Sequence, residues 1–208
     1  DRNPVIRPNG DIMFSRWDHI GDRNHFPIFR VKPDGTDMFV LYGAHSAGNS
    51  FLHPRDMNPA GKYNGYVVSD LMPLLRTQEG GAVVLVDAAN YSEQNTPANS
   101  TVPTAGGQQQ LTAQELNMDR GFSRYGRVTT PYPLWDGTNR LLVAYKPCEV
   151  TRNGEVVPAV VRSATIRVAP VTASTAANAG MLDIKMVPER HNTVKVLLLM
   201  DVGGTMDE

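Results

Sequence analysis

Prolines and glycines punctuate this chain from end to end, 15 and 18 of them in 208 residues, and the gaps between them suit strands rather than long helices. The first such unit is Asn3-Pro4-Val5-Ile6-Arg7-Pro8-Asn9-Gly10, followed by a strand-like run, Asp11 to Trp17. The unit recurs as His53-Pro54 through Pro59-Ala60-Gly61, leading into Lys62 to Ser69. A looser third copy is Pro131 to Arg140, with Asp136-Gly137 in the turn and Leu141 to Tyr145 after it. Between the first two copies, Ile28 to Lys32 and Met38 to Tyr42 flank Pro33-Asp34-Gly35-Thr36. That pattern predicts a hairpin, because proline presets φ at the turn and glycine accepts a positive φ. Ala82 to Asp87 occupies the place of that hairpin's first half in the second unit.

Each unit is therefore expected to hold about four antiparallel strands. Gly10 and Gly61 stand 51 positions apart, close to one four-stranded propeller blade of roughly 40 to 50 residues. Gly61 and Gly137 stand 76 apart, and the surplus falls on residues 90–125, a Gln-, Asn-, Thr- and Ser-rich stretch that reads as a polar surface insertion. Within it, Thr112-Ala113-Gln114-Glu115 fits a capping box and predicts a short helix over Thr112 to Asn117. The expected fold is mainly β: about three propeller-type blades over 1–170, a partial propeller, with a distinct tail over 171–208 that carries a short strand. Three blades fall short of the four to eight that close a ring, so exposed edges are expected to pair with further blades or other chains. Starting at Asp1 rather than methionine, the chain reads as processed or excerpted.

The residues of the first unit, with Ser15-Arg16-Trp17-Asp18-His19 and the Pro33-Asp34-Gly35-Thr36 turn, resemble the TolB-type propeller repeat. Together with Tyr145 to Gly154 they are similar to proteins related to the hydrazine synthase alpha subunit, over about residues 1–160. The resemblance implies a periplasmic or extracellular propeller. It does not bring haem chemistry, because one cysteine, Cys148, leaves no CxxCH attachment. In the tail, Ala179 to Arg190 and then Val194 to Met200, ending in Asp201-Val202-Gly203-Gly204-Thr205, resemble the lead-in, first strand and metal loop of a CoxE-like von Willebrand factor A domain. That resemblance implies a strand buried in a parallel sheet and an Mg or Ca ligand pair, Asp201 and Thr205. The rest of such a site would come from loops that do not follow in this sequence.

Charge excludes one class of function. Twenty Lys and Arg against 21 Asp and Glu give a formal charge of −1, without the basic footprint of a nucleic-acid binder. No apolar run exceeds five residues, the length of Val196 to Met200, and that is too short to span a bilayer as a helix.

The densest polar cluster, Asp18, His19, Asp22 and His25, has the residue types of a metal site or a general base. Its place between strands equally fits solvated, turn-capping side chains. His45 and His53 flank Ser46 and Ser50, but no Gly-x-Ser-x-Gly elbow accompanies them. His191 reads as a strand-entry residue. Cys148 reads as a small buried side chain beside Pro147 rather than a nucleophile. Asn90-Tyr91-Ser92 and Asn99-Ser100-Thr101 match the N-glycosylation triplet. Among the aromatics, Trp17, Trp135 and Tyr132 are the candidates to stack on a ligand.

The functional expectation is a non-catalytic binding or scaffold module with a protein or carbohydrate partner and no cofactor. One alternative is a subunit of a redox or hydrolytic enzyme whose cofactor-bearing regions lie outside this chain. Another is a magnesium-dependent adhesion element built on the Asp201 loop.

Overall fold

The computed structural model describes residues 1–45, 49–73, 80–112, 116, 123, 125–146, 148–158 and 196–201. Among these there is no helix; the regular structure is all strand. The first sheet is an antiparallel meander of β1 (Arg2–Ile6), β2 (Ile12–Ser15), β3 (Ile28–Val31) and β4 (Phe39–Tyr42), in that spatial order. Two of its connections use one kind of turn. Gly10 N–H donates to Arg7 O at 2.9 Å, and Gly35 N–H donates to Lys32 O at 2.9 Å. Both glycines sit at positive φ, 90° and 84°, where a side chain is strained. The Asp34 carboxylate accepts from both Thr36 N–H and Thr36 Oγ1, which closes the predicted hairpin turn.

The second sheet contains β5 (Asn49–Asp56), β6 (Val67–Pro73) and β7 (Ala82–Val86). After the small hairpin of β8 (Tyr91–Glu93) and β9 (Thr96–Pro97), β10 (Gln108–Gln110) returns to pair with β7. The polar stretch over 90–125 thus supplies the fourth strand of this sheet and also sends Tyr91, Leu111 and Leu116 into the cores. Thr112 Oγ1 accepts from Val83 N–H at 3.2 Å. Most of the expected helix over Thr112 to Asn117 lies outside the described residues. Lys62 to Gly65, read from sequence as strand, is a turn instead: Tyr66 N–H donates to Tyr63 O and Gly65 adopts φ 84°.

The third sheet holds β11 (Arg127–Pro133), β12 (Arg140–Lys146) and, from the tail, a further strand; β13 (Glu149–Arg152) and β14 (Glu155–Pro158) form a separate hairpin through Asn153-Gly154. The tail strand, β15 (Val196–Asp201), pairs antiparallel with β12, from Tyr145 opposite Val196 to Arg140 opposite Asp201. It does not open a parallel sheet, as its resemblance implied. Apolar continuity predicts burial but not direction, and the free edge of β12 supplied the partner.

The second sheet lies between the other two, and its strands alternate between two cores. Val83 and Leu85 of β7 face Val128, Leu141, Val143 and Tyr145 of the third sheet. Val84 and Val86 face Met13, Ile28 and Tyr42 of the first, along with Phe51. A backbone bridge also joins the second and third sheets: Gly81 N–H donates to Val128 O at 2.9 Å, and Val128 N–H returns the bond at 2.8 Å.

Candidate functional site

The opening strands of the three sheets share one irregularity. In β1, Arg2 pairs with Ser15 and the next pair is Val5 with Met13, so Asn3 and Pro4 together oppose Phe14 alone. In β5 the pairs are Leu52 with Asp70 and Arg55 with Val68, and His53-Pro54 forms the bulge. In β11 they are Thr129 with Ala144 and Tyr132 with Leu142, and Thr130-Pro131 forms it. The residue before each proline has positive φ: 55° at Asn3, 51° at His53 and 55° at Thr130. Proline offers no N–H to a ladder and is accommodated at a bulge, which also redirects the residues that follow.

Those following residues meet. Val5 and Ile6, Arg55 and Asp56, and Tyr132 and Pro133 hold matching register positions in the three strands, and all six line one cleft of about 400 Å³. Leu134, Trp135 and Asp136 complete the wall. A cavity of this size is within the range of sites for small molecules and peptide ends. Ile6, Tyr132 and Trp135 are each more than half exposed, so apolar surface faces the opening.

The polar groups around the cleft are mostly committed. Asp56 takes a forked ion pair from Arg7, Nη2 at 2.8 Å and Nε at 3.1 Å. The Asp56 carbonyl accepts the Trp135 indole N–H at 3.2 Å, which fixes the ring as a wall. Asp136 accepts from Thr138 and pairs with Arg140 at 2.9 Å; these donors hold its carboxyl down at about 2. Arg55 differs from both carboxylates. Its hydrogen bond, Nη1 to Pro54 O at 2.8 Å, leaves most of the guanidinium donors facing no partner among the described residues. Burial draws its pKa down, opposed by the nearby Tyr132 phenol and the Asp70 carboxylate.

Asp70 itself is fully buried behind the bulge. His53 Nδ1 lies 2.8 Å from Asp70 Oδ1, Thr129 Oγ1 donates to Oδ2 at 3.1 Å, and Thr130 N–H reaches Oδ1 at 3.4 Å. Loss of hydration pushes the Asp70 carboxyl up, with the His53 and Thr129 contacts pulling against it. Thr129 Oγ1 is 3.3 Å from the same His53 nitrogen that faces Asp70. The group ties the second sheet to the third, because Thr129 and Thr130 of β11 both reach the Asp70 carboxylate of β6.

Of the aromatic candidates, Tyr132 and Trp135 are together in the cleft and Trp17 is not. Trp17 stacks on Phe26 with centroids 6.1 Å apart, and its indole N–H donates to Asn24 Oδ1 at 2.8 Å. The acidic and histidine cluster is distributed rather than gathered. Asp18 and His25 form a backbone bridge, the His25 ring meets Ala44 O at 3.2 Å, and Asp18 pairs with Arg23. His19 lies against Trp17, and Asp22 is exposed. Among the described residues no three His, Cys, Asp or Glu side chains converge as metal ligands. Asp201 ends β15, while Thr205, Ser46 and His191 lie outside the described residues. Cys148 is half-buried. Asn90 donates its side-chain amide to Asp87, and the Asn99 carbonyl accepts from Thr101.

Sequence reading singled out neither Val5, Ile6 nor Arg55. The available signal was alignment on the X-Pro pairs, which brings Val5, Arg55 and Tyr132 to one repeat position. Compared with protein families, curated proteins and solved structures, the chain gave no match to any of the three. No helix among the described residues is long and apolar enough to cross a membrane.

Proposed function

We propose that this chain is a non-catalytic, propeller-type binding module whose partner surface is the cleft between the three opening strands. The observation that carries the reading is the meeting of one repeat position from each sheet, Val5, Arg55 and Tyr132, at a single apolar opening. Blade-like units stacked face to face, with their first strands converging, support a partial propeller. The uncovered aromatic surface of the first sheet supports assembly with further blades or other chains. The resemblance to TolB-type repeats adds a periplasmic or extracellular location.

Between the two partner classes, the wall favours protein over carbohydrate. A sugar needs many free hydrogen-bonding groups, whereas Asp56, Asp136 and the Trp135 N–H are already engaged. A peptide uses apolar and aromatic walls directly. The test is selection of displayed peptide libraries on the full chain, repeated with Trp135→Ala. Enriched peptides are expected to lose about tenfold or more in affinity on the variant. Peptides indifferent to that substitution, or no enrichment against a strong response on a glycan array, would overturn the reading.

A further inference from the structure

We infer that the cleft recognises the free carboxy terminus of a partner protein whose last residues are apolar, with Arg55 receiving the terminal carboxylate. The inference rests on the binding reading above and names the chemistry of its ligand.

Charge bookkeeping at the cleft leads to this ligand. Each of the two acidic side chains on its wall has its own cation: Arg7 for Asp56, in a forked pair, and Arg140 for Asp136. Arg55 has no ion-pair partner among the described residues. Asp70, the buried carboxylate whose charge acts on Arg55, is hydrogen-bonded instead to His53, Thr129 and Thr130. The cleft thus presents one guanidinium that has no ion-pair contact, its charge met only in part by the Asp70 carboxylate, beside an apolar wall of Val5, Ile6, Tyr132, Pro133, Leu134 and Trp135. A half-buried guanidinium with open donors is matched by a planar carboxylate, which takes two parallel N–H bonds and returns the charge.

The apolar wall selects the carrier of that carboxylate. In an aspartate or glutamate inside a chain, the acid sits on a polar side chain and the backbone must run through the cleft in both directions. A chain end places a carboxylate directly beside an apolar side chain and enters from one side only. Tyr132 and the Trp135 ring, clamped by Asp56 O, would cover that last side chain. The pieces are held before any ligand arrives, which lowers the cost of ordering them on binding.

The experiment uses heptapeptide libraries displayed in two formats on the full chain, one ending in a free carboxy terminus and one with the same randomised segment internal. The free-ended library is expected to enrich sequences ending in Leu, Ile, Val or Phe, and the internal library to enrich none in competition with them. A selected peptide is then synthesised as the acid and as the amide and titrated by tryptophan fluorescence. The amide is expected to bind about tenfold or more weakly. Arg55→Met should bring the acid down to the amide's affinity, and Arg55→Lys should recover part of the gap. Unchanged thermal unfolding of both variants would show that the fold is kept. Octanoate, which offers the same charge and an alkyl chain without peptide, is expected to compete only weakly.

Equal affinity for acid and amide, or an Arg55→Met chain that still prefers the acid, would overturn the carboxylate assignment while leaving a Trp135-dependent peptide site intact. Octanoate competing as well as the peptide would overturn the assignment to a protein terminus. Loss of all Trp135 dependence would instead remove the underlying binding reading, so the two failures are distinguishable.

Discussion

The second sheet and the first follow the same four-strand plan but differ in what covers them. Every residue of β7 is buried, because the first sheet lies on one face and the third on the other. β4, the outer strand of the first sheet, leaves Phe39 and Val40 exposed. Met38, Trp17 and Ile20 are also exposed. Arginines cover part of this surface: Arg16 lies 5.5 Å over the Phe29 ring and Arg30 lies 5.7 Å over Phe39. A sheet with two neighbours satisfies its apolar side chains internally, whereas one with a single neighbour must leave them bare, cover them with long cations or find a partner.

That contrast can be broken most forcefully at Gly81, where the middle sheet meets the third. A Cβ there would lie 1.9 Å from the Leu71 carbonyl oxygen, so backbone must move and the bridge to Val128 must open. Gly81→Ala is expected to cost about 3 kcal/mol in urea unfolding, and a loss near zero would mean that the two sheets are not locked together. Next in size, Val84→Ala should cost about 2 kcal/mol, because its cavity is enclosed by packed neighbours. Val40→Ala, at 39% exposure on β4, should stay within about 0.5 kcal/mol. Equal costs for the two valines would erase the distinction between the sheets.

A pH measurement sharpens the same comparison, because a carboxyl raised by burial and one lowered by hydrogen-bond donors respond with opposite signs. Asp70 has its folded pKa raised above the ordinary 3.8 by burial. The folded state therefore holds its proton at pH values where the unfolded chain has released it, and stability from this group falls as pH rises through that window. Asp70→Asn should remove this slope, so the variant gains on the native chain as pH climbs from the carboxylate range to neutrality. Urea unfolding at stepped pH reads the difference; parallel curves would contradict it. The smallest effect is expected at the exposed Asp136, whose pKa is lowered to about 2 by Thr138 and Arg140. Its contribution is present above 3.8 and disappears as pH falls toward 2, and Asp136→Asn should flatten that limb slightly.

Much of the first sheet was legible because its signals are local. Pro33-Asp34-Gly35-Thr36 specifies a turn through φ preferences and one side-chain acceptor, and the strands on either side follow from it. The X-Pro bulges were also visible as repeated text, although only the three-dimensional register showed that proline sits at one bulge position in each opening strand. The second sheet was less legible. Gln108–Gln110 carries no apolar pattern, and it joins β7 because that strand has an open edge, not because its own side chains require burial. Tyr132 and Trp135 could be nominated from sequence as exposed aromatics. Arg55 could not, because an arginine in a polar stretch looks like any solvated side chain until its neighbours are known.

The sequence alone determined the turn at Pro33-Asp34-Gly35-Thr36, the extended segments on either side of it and the positions where a proline withholds an N–H, since φ restriction and a missing N–H act within a few residues. Tertiary structure decided which edge each late strand joins, which face of a sheet is covered, and which charge is left without a partner. Those outcomes depend on groups far apart in the chain, whose pairing is fixed only when the backbone edges and apolar faces compete for one another in space.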